Sequence, residues 1–158
     1  MSLPIQFAAR TCVAALLGFA LMGAAPATPS APGSPLGEWT TQGGEDVVRI
    51  EPCGEALCGR IVGIVRNPGE PIPTDAHGTS QCGLLLINNE RSNGHGAWLG
   101  QVIDPRNGKV YRAKLWVDDQ GALRLRGFVG VTLLGRTQTW PRFTGHVDAA
   151  CMVTANAP

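Results

Sequence analysis

Asp104-Pro105-Arg106-Asn107-Gly108-Lys109, then Val110-Tyr111-Arg112-Ala113-Lys114-Leu115-Trp116-Val117, then Asp118-Asp119-Gln120-Gly121, is the stretch that decides the fold. Proline presets φ for a turn, and Asn-Gly supplies the positive-φ positions that close a hairpin. The eight residues that follow alternate. Tyr111, Ala113, Leu115 and Val117 share one face, while Arg112, Lys114 and Trp116 share the other. Asp118 to Gly121 is a second turn. Beyond it Leu123, Leu125, Gly127 and Val129 alternate with Arg124, Arg126 and Phe128. Three strands joined by two tight turns predict an antiparallel meander.

Reading outward, the same pattern recurs. Gly37–Thr41, Val47–Glu51, Gly59–Val65, Leu84–Ile87 and Trp98–Ile103 read as strands, and Thr137–Phe143 as the last. Pro141 confines that last strand to an edge or a bulge. Residues 66–82 form a long Pro- and Gly-rich loop, whose Arg66–Gln81 part is the best candidate for a lid. No segment sustains a helical period. Eight antiparallel strands in a meander predict an all-β, eight-stranded up-and-down barrel, with a two-sheet sandwich as the alternative. Gly37-Glu38-Trp39 opens the first strand and Arg142 closes the last. Barrel closure would bring them together, with Arg142 on the Trp39 face and bonded to backbone carbonyls. This G-x-W with a late Arg resembles the lipocalin (calycin) arrangement.

The N-terminus reads separately. Arg10 precedes the apolar run Cys12–Ala25, which is shorter than the ~20 residues a spanning helix needs. Ala25-Pro26-Ala27 follows with small residues at the positions a signal peptidase reads. Residues 1–27 are therefore expected to be a cleavable signal peptide, leaving no transmembrane helix and sending the chain to the periplasm or outside the cell. Residues 28–35 form a Pro/Ser linker, 36–146 the β domain, and 147–158 a C-terminal tail tied by Cys151. The formal charge of +1 belongs to Arg10, so the remaining chain is neutral. Charged residues make up only 16% against about 25% in soluble domains, and no basic excess supports nucleic-acid binding.

Of five cysteines, Cys12 falls in the signal, leaving Cys53, Cys58, Cys82 and Cys151. An even number in an exported chain points to disulfides. Cys53 and Cys58 flank a four-residue hairpin loop, at a separation compatible with a bridge. Cys82 and Cys151 are then left to each other by parity alone, and other connectivities stay open. The spacing does not match the paired cysteines of structural zinc.

The same segments resemble the DUF2147 family, bacterial exported domains without an assigned function. They are Gly37-Glu38-Trp39, Val48-Arg49-Ile50-Glu51-Pro52-Cys53-Gly54, Leu57-Cys58-Gly59-Arg60-Ile61-Val62, Gly83-Leu84, Asp104-Pro105 and Asn107-Gly108-Lys109-Val110-Tyr111. Leu125-Arg126-Gly127-Phe128-Val129-Gly130 then leads through Gly135-Arg136-Thr137-Gln138-Thr139-Trp140 to Arg142. The resemblance implies a lipocalin-like barrel in the periplasm or outside the cell, and it brings no activity. Residues 66–82 depart from the family pattern, and Cys151 lies beyond it.

Chemistry is sparse. His77, His95 and His146 lack metal-ligand spacing, and Ser80 and Ser92 lack a nucleophile elbow. Asp118-Asp119 sits where turns favour Asp. No catalytic set, cofactor or metal is expected. Arg124, Arg126, Arg136 and Arg142 with Trp116, Phe128 and Trp140 could form a basic–aromatic strip. The simpler expectation is that arginine stems cover apolar surface while their heads pair with acids. The expected function is binding of a small apolar or amphipathic ligand in a pocket bounded by Trp98, Tyr111, Leu115 and Leu125. The alternative is an envelope interaction module with a filled barrel and no ligand.

Overall fold

The computed structural model describes residues 33–154. The expected signal peptide, Cys12, most of the linker and the last four residues lie outside the described residues. Eight strands pair antiparallel in chain order: β1 (Gly37–Thr40), β2 (Asp46–Cys53), β3 (Ala56–Ile64), β4 (Leu85–Ser92), β5 (Ala97–Ile103), β6 (Val110–Val117), β7 (Leu123–Phe128) and β8 (Arg136–Trp140). A separate ribbon pairs β9 (His146–Val147) with β10 (Val153–Thr154). The described helix content is one 3₁₀ turn, Thr132–Leu134.

Local chemistry makes the turns. Between β5 and β6 the Asp104 carboxylate accepts the Arg106 N–H at 3.0 Å, and the Asn107 side-chain oxygen accepts the Lys109 N–H at 2.9 Å. Gly108 takes φ +68°, open to glycine at no steric cost. Between β6 and β7 the Asp118 carboxylate accepts the N–H groups of Gln120 and Ala122. These contacts satisfy backbone donors that no ladder reaches.

Alternation then sorts the faces. Trp39, Val48, Ile61, Ile87, Leu115 and Trp140 are buried in one core cluster on the inner face of the curled sheet. Trp98 opposes Leu115 across β5–β6, and Leu115 opposes Leu125 across β6–β7. Val129 departs from the expected alternation. β7 ends at Phe128, and Val129 enters the following connection, 70% exposed.

The two ends of the sheet meet at a short seam rather than a ladder. β8 stops before Pro141, which has no N–H to donate. The Thr40 N–H bonds the Pro141 carbonyl and the Phe143 N–H bonds the Glu38 carbonyl, both at 3.0 Å, around an isolated Trp39–Arg142 bridge. The expected closed eight-stranded barrel is thus found as an all-β antiparallel meander without a continuous β8–β1 ladder.

β4 corrects a second expectation. The strand does not stop at Ile87 but continues through Asn88-Asn89-Glu90-Arg91-Ser92. Asn88 opposes Gln101 and Arg91 opposes Leu99, so residues 89 and 90 face Gly100 alone. This bulge resets the alternation. The tail is also more than a tether. The Ile64 N–H bonds the Cys151 carbonyl at 2.9 Å, and Ile64 bridges Met152, which lays the β9–β10 ribbon against β3.

Candidate functional site

The bulge in β4 turns one acid inward. Counting by twos from buried Ile87 would send residue 90 to the outside. Instead Glu90 is fully buried, opposite Leu57 of β3, while Arg91 is exposed and pairs with Glu55. Leu57 packs against the core cluster, so Glu90 is carried on its inner face. Among the described residues neither carboxyl oxygen has a hydrogen-bond partner. Burial pushes the Glu90 carboxyl up to about 8. The group is therefore mostly protonated at neutral pH, with a donor and acceptors in an apolar setting. Unpaired buried polar groups are costly, and each calls for a physical reason.

The expected pocket residues are placed unequally. Leu115 and Leu125 are buried, whereas Trp98 and Tyr111 are half-buried. Trp98, Leu115 and Leu125 lie side by side across three strands. Tyr111 opposes Val102, four residues along β6 from Leu115 and so about 13 Å away. Inner-face Leu57 is half-buried too, while Ile61 and Ile87 beside it are fully buried.

At the seam the Arg142 guanidinium sits 3.9 Å from the centre of the Trp39 ring. It donates to the Leu36 and Ser34 carbonyls, both at 2.6 Å, and the Trp39 indole N–H donates to the Pro35 carbonyl at 2.8 Å. Desolvation lowers the Arg142 pKa below its usual value. Gly37 begins β1 beside them with φ +113°.

The cysteines lie in two pairs at disulfide distance. Cys53 and Cys58 are 5.8 Å apart between Cα atoms, and Cys82 and Cys151 are 6.0 Å apart. Such pairs belong to oxidising compartments.

The loop between β3 and β4 lies over the β5–β6 turn, where the Ala76 N–H bonds the Pro105 carbonyl at 2.9 Å. His77 sits there, His95 in the β4–β5 turn at the opposite end, and His146 in the ribbon. Among the described residues no three His, Cys, Asp or Glu gather as metal ligands, and no helix is long and apolar enough to cross a membrane.

The charge expectation fails on one face. Arg124 pairs with Asp118 at 2.6 Å, but Arg112, Lys114, Arg126 and Arg136 make no ion pair among the described residues. Arg112 lies over Phe128 and Lys114 over Trp116, each 5.3 Å from the ring centre.

Glu90 lies beyond Ile87, where the expected strand ended, in a polar run Asn-Asn-Glu-Arg-Ser that shows no apolar alternation. The available signal was length: a seven-residue partner in β5 needs a β4 of similar extent.

The fold has counterparts. A solved structure described as "Protein HP1028 from the human pathogen Helicobacter pylori belongs to the lipocalin family" is similar with a TM-score of 0.59 and 18% identity, covering 69% of this chain and 82% of that one. At that identity the likeness shows the fold alone. No curated protein matches the chain. The family model described as "Uncharacterized protein conserved in bacteria (DUF2147)" matches residues 37–142. The fold, the seam and that match over most of the sheet agree, and the chain belongs to the DUF2147 family.

Proposed function

We propose that this protein is exported to the periplasm or beyond by a cleaved signal over residues 1–27. Its sheet closes into an eight-stranded up-and-down barrel that binds a small amphipathic ligand. The carrying observation is Glu90, a buried carboxyl opposite Leu57 on the inner face, with no hydrogen-bond partner among the described residues. Such a group finds its reason in a ligand that brings a hydrogen-bond donor, an amine or amide, on an apolar body. The half-buried Leu57 and Trp98 lie on the side from which that body would enter. Two disulfides hold the frame in the oxidising compartment.

The test uses the protein recovered from its export compartment. Native mass spectrometry before and after organic extraction should show an extractable mass. A long-chain alkylamine titrated into the stripped protein should quench tryptophan fluorescence. Glu90→Gln should weaken that amine at least about tenfold, the worth of one charge-assisted bond. No extractable mass together with equal amine binding by Glu90→Gln would sink the reading.

A second reading is supported by the tight packing of Trp39, Ile87, Leu115 and Trp140, together with a surface groove of about 320 Å³ on the outer face of β6 and β7. It is an envelope interaction module with a filled barrel. A silent amine titration would select it.

A further inference from the structure

The β7–β8 connection carries four aliphatic side chains into solvent: Val129 at 70%, Val131 at 60%, Leu133 at 84% and Leu134 at 78% exposure. Scattered single exposures are ordinary, but four within six residues at one tip are not. The 3₁₀ turn that holds the two leucines buries none of its residues. The tip is nevertheless firmly held. Arg126 donates to the Thr132 and Leu133 carbonyls at 2.8 and 3.1 Å. A Cβ on Gly135 would come within 2.6 Å of the Gly127 carbonyl oxygen, so the connection lies tight on β7.

Behind the tip the charge is one-sided. Arg112, Lys114 and Arg126 lie on the outer face of β6 and β7, and Arg136 begins β8 directly after the tip. None is ion-paired among the described residues. From Val110 to Trp140 the acids are Asp118 and Asp119, in the turn at the opposite end, while at the tip's own end Asp104 is paired with Arg106 and Asp75 caps backbone N–H groups of its own loop. A groove of about 320 Å³ brings Leu133 together with Lys114, Trp116 and Arg126. Aliphatic tip, adjoining tryptophan and cationic belt repeat the order of a membrane interface: acyl chains, then the glycerol zone, then anionic headgroups.

We propose that this tip docks the protein onto an anionic lipid bilayer, with Leu133 and Leu134 entering the acyl boundary and Lys114, Arg126 and Arg136 meeting headgroup phosphates. The unpaired positive belt selects the anionic surface. The largely exposed leucines suit a deformable lipid phase better than a preformed protein socket. Ser34 is held by Arg142 at the other end of the sheet.

The experiment is co-sedimentation of the exported protein with vesicles of phosphatidylcholine alone and of phosphatidylcholine with a third phosphatidylglycerol. Partitioning should be at least about tenfold stronger on the anionic vesicles and should fall steeply between about 0.1 M and about 1 M salt. Leu133→Ser with Leu134→Ser, both on exposed positions, should lower it at least about tenfold with unchanged thermal unfolding. Lys114→Gln with Arg136→Gln, neither of which holds the loop backbone, should abolish most of the preference for phosphatidylglycerol. Equal partitioning on both vesicle types, or full binding by the double serine variant, overturns the proposal. So does concentration-dependent self-association through the same leucines with no vesicle binding.

Discussion

The Arg142 guanidinium covers the Trp39 ring at 3.9 Å while its two terminal nitrogens reach the Leu36 and Ser34 carbonyls. One side chain thus joins the last strand to the first, and it does so at the place where Pro141 forbids a ladder.

Arg142→Ala should therefore cost about 2–3 kcal/mol, combining the cation–π contact with two carbonyls left unpaired. Arg142→Lys keeps the charge but not the planar fork, and should recover less than half. Urea unfolding of the oxidised protein measures both. A lysine variant as stable as wild type would contradict this account of the seam.

Glu90 links stability to pH. Its folded pKa, about 8, lies above its ordinary value of 4.5. Between those limits the folded chain holds a proton that the unfolded chain has released. Stability should therefore fall as pH rises from about 4.5 to 8 and level off above that. Glu90→Gln should match wild type near pH 4.5 and exceed it at pH 8 by about 4 kcal/mol, the worth of a shift from 4.5 to about 8. Thermal unfolding across that range checks the sign.

Gly59 opposes Ile87 on the inner face, where a Cβ would stand 2.9 Å from the Ile87 Cβ. Gly59→Ala should destabilise by about 1–3 kcal/mol through overpacking. Ile87→Ala should cost less in that background than in wild type, a coupling of about 1 kcal/mol. Additive effects would mean that the two positions do not share a contact.

The two cysteine pairs should differ in worth. The sequence separations are 69 and 5 residues. In the chain-entropy view, losing Cys82–Cys151 costs about 4 kcal/mol and losing Cys53–Cys58 about 2. Thiol titration of the unfolded, unreduced protein should find none free, and paired Cys→Ala variants should rank in that order by urea unfolding.

The hairpins were legible because their causes are local. Asp104, Asn107 and Asp118 bond backbone groups two to four residues away, so short stretches carry the whole explanation. Trp39 and Arg142 could be placed together only by assuming that the sheet ends meet. Glu90 was illegible for the opposite reason. One extra residue in β4 breaks the period of two, and nothing within Asn88–Ser92 announces it. Val129 was misplaced because alternation continues past the strand end that Gly130, at φ +70°, imposes. The unpaired arginines were hidden because pairing depends on where distant acids land.

The short seam also bears on the order in which the chain assembles. Each strand after β1 pairs with its predecessor, so seven hairpins can form in turn as the polypeptide emerges. The seam must wait for Pro141–Phe143, about a hundred residues after β1. Until then the chain presents two open strand edges to its neighbours, the condition under which β proteins join one another. A chain cut short before Arg142 would keep every hairpin and still lack the means to become solitary.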